Sequence, residues 1–275
     1  MTGNWSITEP RTIEFDGVRE LKLATIAGRF DILAHDDGVV RLDVREISGE
    51  PLTVSYDDDG RLAVRHGVAD DSLLGFQHLS TVVLTLSVPA GTRVEASTIS
   101  GDGLVSGLAA STTVSSVSGS VLADATRGEL HASTVSGEAI VRNHEGALAL
   151  NSVKGEVTAS GSFTAVKANT VTGDLSLDVL NRPERIATNS VSGSVLIRLP
   201  AETAVALRVS SLAGQVSVND GRLSVVGTSA GRYGDNGWPE VPVACVSVSG
   251  GVSVVVPPSG PEAVPSGPEG PEGGI

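Results

Sequence analysis

The chain has 275 residues, of which 40% are hydrophobic but only 3% aromatic, and its formal net charge is −13. A core of that size must come from Val, Leu, Ile and Ala, the side chains that suit packed strands. An acidic surface without a Lys/Arg cluster is repelled by phosphate backbones and by anionic membranes, so neither nucleic acid nor membrane is an expected partner.

The chain starts with "MTGNWSITEPRTIEFDG", which has neither the basic nor the apolar region of a secretory signal. No apolar run approaches the roughly 18 residues of a membrane span. The expected location is therefore the cytoplasm. Residues 1–90 read as an irregular β-rich region or cap. In "ELKLATIAGRFDILA" apolar and polar residues alternate, and Thr25-Ile26-Ala27-Gly28 is a degenerate form of a tetrad that recurs later. Asp36-Asp37-Gly38 and Asp58-Asp59-Gly60 stand between alternating runs and predict hairpins.

From residue 98 a Ser/Thr-apolar-x-Gly tetrad repeats eight times. Its glycines are Gly101, Gly119, Gly137, Gly155 and Gly173, four steps of 18, then Gly193, Gly214 and Gly250, the last step of 36 reading as two periods. Counted from the Ser/Thr as position 1, apolar residues fill position 2 (Val117, Val135, Val153), position 6 (Val121, Ala139, Val157) and position 8 (Ala123, Val141, Ala159). These even positions are expected to share an inward face. A second apolar pair sits at the odd positions 15 and 17, as in Leu130 with Ala132 and Leu148 with Leu150. An uninterrupted strand cannot change its buried parity, so each period contains two strands and two corners. The predicted fold is all-β, a single-stranded parallel β-solenoid of about 18 residues per rung over 91–257. Eight rungs would stand roughly 35–40 Å tall. The glycine, on the inward parity at position 4, marks close backbone approach. Position 18 (Ser133, Asn151, Asn169, Asn189) suits a corner and a polar ladder between rungs, which the position-1 hydroxyls would extend.

Residues 221–246 interrupt the rungs with Gly, Pro, one of two Trp, one of two Tyr and the lone Cys245. Within them Gly227-Thr228-Ser229-Ala230-Gly231 matches a nucleophile elbow, but Arg232 to Gly237 cannot begin the helix that motif needs, so a loop is expected. The tail 258–275, rich in Pro, Gly and Glu, is expected to be disordered.

The eight tetrads, preceded by a β-rich region, resemble a bacterial β-strand-repeat family of unknown function catalogued as "putative adhesins", with the likeness covering roughly residues 20–256. The resemblance implies surface exposure and an adhesive role, and supplies no catalytic residues.

For chemistry the sequence offers little. His35, His66, His78, His131 and His144 are scattered without a ligand spacing, and Asp57-Asp58-Asp59 reads as a hairpin tip. No catalytic, cofactor-binding or metal residue is assigned, and no cofactor is expected. The expected function is a non-enzymatic binding or scaffold module that presents a rigid outer face, or the 221–246 segment, to a protein or glycan partner. Arg232, Tyr233 and Trp238 are its candidate contacts, since Trp, Tyr and Arg anchor interfaces. The alternatives are self-assembly into filaments and, less favoured, an enzyme with an unrecognised site.

Overall fold

The computed structural model describes residues 3–67, 80–219, 221–224, 227–234 and 239–257. The predicted disordered tail at 258–275 lies outside the described residues. The described chain is all β, with 24 strands joined into one sheet. That sheet is mixed, and it forms a nearly closed, barrel-like wall around an apolar interior.

The expected purely parallel single-stranded solenoid is overturned by six antiparallel pairings among the described residues. They collect at the two ends, for a physical reason. A parallel ladder that simply stopped would leave a row of unpaired N–H and C=O groups. At the N-terminal end Arg61–His66 pairs antiparallel with Leu52–Tyr56, which pairs with Gly3–Ile7. Beside it Thr81–Pro89 pairs antiparallel with Val39–Ser48, which pairs with Arg11–Asp16. Trp5, Phe15 and Tyr56 gather here, with ring centroids 5.3 and 5.8 Å apart. At the other end Gly227–Tyr233 lies antiparallel to Val205–Ser211, and Gly221–Ser224 to Gln215–Val218.

The two Asp-Gly turns behave differently. Asp58-Asp59-Gly60 joins a hairpin, and the Asp57 carboxylate accepts the N–H groups of Asp59 and Arg61. Asp36-Asp37-Gly38 joins two strands that pair with opposite edges of Thr81–Pro89, so the turn is a bridge across a third strand.

Between the ends the strands are parallel and in register. Thr98 lies opposite Ser116, Ser116 opposite Thr134, Ser152 opposite Thr170 and Thr170 opposite Ser190. One rung earlier Thr25 lies opposite Thr98, so Thr25 to Gly28 takes the place of a tetrad. The spatial order then departs from the chain order. Ser190 is followed by Ser247, and only then by Ser211. The 36-residue step is thus no pair of consecutive rungs. The chain skips a place, builds the final rung with Val205–Ser211 and Gln215–Val218, and returns to insert Val241–Ser247 and Val252–Val255 beneath it.

Val121, Ala123, Leu130, Ala132, Leu148 and Leu150 are buried in columns, each Val or Leu contributing roughly 1.5–3 kcal/mol. Position 2 does not join them. Ile99, Val117, Val135, Val153, Val171, Val191, Leu212 and Val248 point outward, and the buried side chain of each tetrad is that of the position-1 Ser or Thr. The reason is a clip inside the corner. Thr98 Oγ1, Ser116 Oγ and Thr134 Oγ1 accept the N–H of Gly101, Gly119 and Gly137 at 3.0, 2.9 and 3.0 Å. Ser247 Oγ accepts from Gly250 N and donates to Gly250 O. Burying this hydroxyl costs little because the backbone satisfies it locally. Parity therefore switches within the tetrad, with positions 1 and 4 inside and positions 2 and 3 outside. The position-1 hydroxyls do not extend the outer ladder, as the sequence had suggested.

A Cβ on Gly119, Gly137, Gly155, Gly173 or Gly193 would overlap the carbonyl oxygen of the tetrad glycine one rung before. Gly250 meets Gly193 in the same way and Gly214 meets Gly250, following the spatial order. Backbone thus packs directly on backbone at each corner. Gly155→Ala is expected to lower stability by about 1–3 kcal/mol, as overpacking does. Gly91→Ala, whose Cβ would meet nothing within 4 Å, should stay within about 0.5 kcal/mol. Urea midpoints of the two variants check this.

Candidate functional site

Two outward columns flank the buried clip. On one side stands position 18, from Ser97, Ser115 and Ser133 to Asn151, Asn169 and Asn189, with Val246 on the next rung. The asparagines form a ladder. Asn189 Nδ2 donates to Asn169 Oδ1 at 2.7 Å, Asn169 Nδ2 to Asn151 Oδ1 at 2.9 Å, and Asn151 Nδ2 to Ser133 Oγ at 3.5 Å. On the other side stands the position-2 column from Ile99 to Val191 and Val248, its members 40–45% exposed. Position 3 braces it from outside. The hydroxyls of Ser118, Ser136 and Thr172 each donate to the position-2 carbonyl one rung before.

Between the columns runs a groove of about 830 Å³, lined from Ala24 and Thr25 to Val246 and Val248. That lies within the roughly 300–1,000 Å³ of small-molecule sites. It crosses eight rungs, about 34 Å at roughly 4.8 Å per rung. No lining residue is ionisable, in a chain whose net charge is −13. The amides of the ladder are occupied with one another, and the other wall is methyl groups. The surface therefore favours apolar contact, and its lining holds no side chain that is charged near neutral pH.

The candidate contacts lie elsewhere. Arg232 and Tyr233 sit on Gly227–Tyr233 at the capped end, opposite Ala206 and Val205. Arg232 Nε is 3.4 Å from Glu240 Oε2 and its side chain is exposed, while Tyr233 packs half-buried against the core. Trp238 lies outside the described residues. Neither Arg232 nor Tyr233 lines the groove. The Gly227–Gly231 motif, expected in a loop, is strand, with Ser229 opposite Val209. A continuous strand through Tyr233 excludes the sharp strand-to-helix turn of a nucleophile elbow.

The remaining reactive groups are also apart. Cys245 is buried, and burial pushes its thiol up to about 11, so it is not a thiolate at neutral pH. His131 pairs with Glu129 at the surface, and His35 Nδ1 accepts the N–H of Asp37. His78 lies outside the described residues. His144 is buried between Thr126 and Ala147. Its Nε2 faces a carbonyl and so carries the proton, leaving Nδ1 to accept from the Thr126 hydroxyl. His66 is fully buried, in register with Thr25. Among the described residues, no three His, Cys, Asp or Glu side chains gather to hold a metal ion.

The groove is not legible in the sequence, because period-2 alternation points position 2 inward. A signal was present: position 2 stands between hydroxyls at positions 1 and 3 in six of the tetrads, a pattern that fits a corner as well as a buried strand.

A family model described as "Toastrack DUF4097" matches residues 31–255. No curated protein matches the chain. Among solved structures, a protein of Parabacteroides merdae described as a "putative adhesin" is similar at 12% identity and TM-score 0.50, covering 90% of this chain and 96% of that one. A "putative lipid binding protein" of Parabacteroides distasonis is similar at 14% identity and TM-score 0.49, covering 90% and 97%. A "putative adhesin" of Bacteroides fragilis is similar at 13% and 0.43, with the same coverage. At these identities the likeness concerns the fold alone.

Burial disfavours the charged form of His66 and His144 and holds both below the ordinary histidine value of 6.5. The unfolded chain then takes up protons first as pH falls. The stability they contribute is complete above 6.5 and is lost progressively below it. Urea midpoints should fall from pH 7.5 to pH 5, and the fall should shrink in His144→Asn.

Proposed function

The chain belongs to the Toastrack DUF4097 family, and on that premise we propose that it is a non-catalytic binding module whose contact surface is the valine groove. The observation that carries this reading is the column of outward β-branched side chains, repeated rung after rung beside a self-satisfied polar ladder. Scattered exposed apolar residues are ordinary on a soluble protein, whereas a continuous apolar strip marks a contact surface.

The scaffold supports the same reading. The position-18 side chains stand on strands held by neighbours on both sides, and the valines stand in the bends that follow, their N–H groups donating to the position-1 carbonyl one rung before, so the surface is preorganised and little entropy is lost on binding. Cys245 is sealed in the core and the described histidines stand apart, which counts against a catalytic centre. Antiparallel strands border both ends of the parallel stack, which counts against end-to-end continuation into filaments. An adhesin-like role, as in the descriptions of the Parabacteroides merdae and Bacteroides fragilis proteins, would use this groove as its contact face, with a protein or a glycan among the partners to be tried.

A polarity-sensitive apolar dye tests the surface. The wild type should brighten the dye, and Val135→Asp with Val153→Asp should weaken binding at least tenfold while keeping the strand circular-dichroism signal. Arg232→Ala should leave it unchanged. Equal dye binding by the groove variant, or loss in Arg232→Ala, would move the contact surface away from the groove.

A further inference from the structure

We infer that the groove takes one long unbranched hydrocarbon chain, the acyl tail of a single lipid molecule. This rests on the groove being the contact surface, and three features of it narrow the occupant.

The first is charge. None of the lining side chains is ionisable, although the chain as a whole carries −13. No side chain in the lining pairs with a charged occupant. An uncharged chain is the complementary partner.

The second is hydrogen bonding. The strands cross the groove, each already paired on both sides, as Ser116 is with Thr98 and Thr134. An extended peptide lying along the groove would find no sheet edge to join. The ladder amides donate and accept among themselves, Asn189 to Asn169 and Asn169 to Asn151. Each ladder amide spends one N–H and one lone pair on its neighbour, so a peptide backbone or a row of sugar hydroxyls seated here would bury more polar groups than the wall can satisfy. A polymethylene chain has no such groups to satisfy.

The third is shape. The strip between positions 18 and 2 spans about two residues of backbone, from the strand end into the bend, so it is at most roughly 7 Å wide and about 34 Å long. Its area is on the order of 240 Å². That is less than a third of the roughly 800 Å² each partner contributes to a stable dimer, and two identical concave strips do not fill one another. A slim, straight chain matches the dimensions, and Val135, Val153 and Val171 offer it an unbroken row of methyl groups.

Displacement of the same dye from the full-length protein, by n-alkanols and matching fatty acids of eight to sixteen carbons below their micellar concentrations, tests the inference. Affinity should rise about twofold for each added methylene, half of the roughly fourfold that the 0.8 kcal/mol of complete burial corresponds to. Alcohol and acid of equal length should agree within about threefold, because no lining cation distinguishes them. Val135→Asp with Val153→Asp should abolish displacement. Leu180→Ser, at an exposed apolar residue outside the groove, should not alter it. Dye binding that persists without any dependence on chain length overturns the acyl assignment and leaves the groove as a contact surface. So does displacement by a Val/Ile-rich peptide or an oligosaccharide in preference to the alcohols. Concentration-dependent dimers lost in the Asp variant overturn it in favour of a second copy, and sedimentation with phosphatidylcholine vesicles in favour of a membrane surface. Absence of dye binding removes the groove reading itself.

Discussion

The clip between the Ser/Thr hydroxyl and the glycine three residues later is the constraint from which the rest of this structure follows. It satisfies a buried hydroxyl and a corner amide together. In doing so it fixes which tetrad residues face the core. The glycine can then lie against the carbonyl of the preceding rung without a Cβ between them. Each corner therefore repeats at the spacing of backbone hydrogen bonds. A bulkier corner would force the rungs apart and break the ladder on both adjoining sheets.

The groove is a by-product of that corner. With positions 1 and 4 inside, positions 18 and 2 stand on the outer surface and lean across a re-entrant angle. Whatever the sequence supplies there becomes a wall. It supplies amides that pair with one another along one side and β-branched side chains along the other. Both walls are held by hydrogen bonds within the chain. Rigidity of this kind suits recognition by shape and apolar contact. No titratable side chain lines the groove.

The ends solve a different problem. A parallel stack has two open edges, and both are bordered here by antiparallel strands from segments without a strict period. At the second end the chain also reverses its order, with Val241–Ser247 entering between Arg185–Ser190 and Val205–Ser211. The rung laid down later thus completes the stack from within, and Gly250 stacks on Gly193 while Gly214 stacks on Gly250.

Much of the middle was determined by the sequence alone. The period of 18, the inward pairs such as Leu130 with Ala132, the crowding at the tetrad glycines and the asparagine ladder follow from local alternation, turn chemistry and in-register stacking. They are set by neighbours one period away, which a repeat makes visible. Tertiary structure alone decided the rest. Whether Val135 faces in or out depends on where in a four-residue corner the parity switches, and alternation does not distinguish the two choices when hydroxyls flank the valine. Alternation alone, continued through the corner, points Val135 inward, which hides the groove. The antiparallel borders and the swapped order of the last two rungs depend on which open edge captures a returning strand. That is a competition between distant hydrogen-bonding edges, and no local pattern in the chain records its outcome.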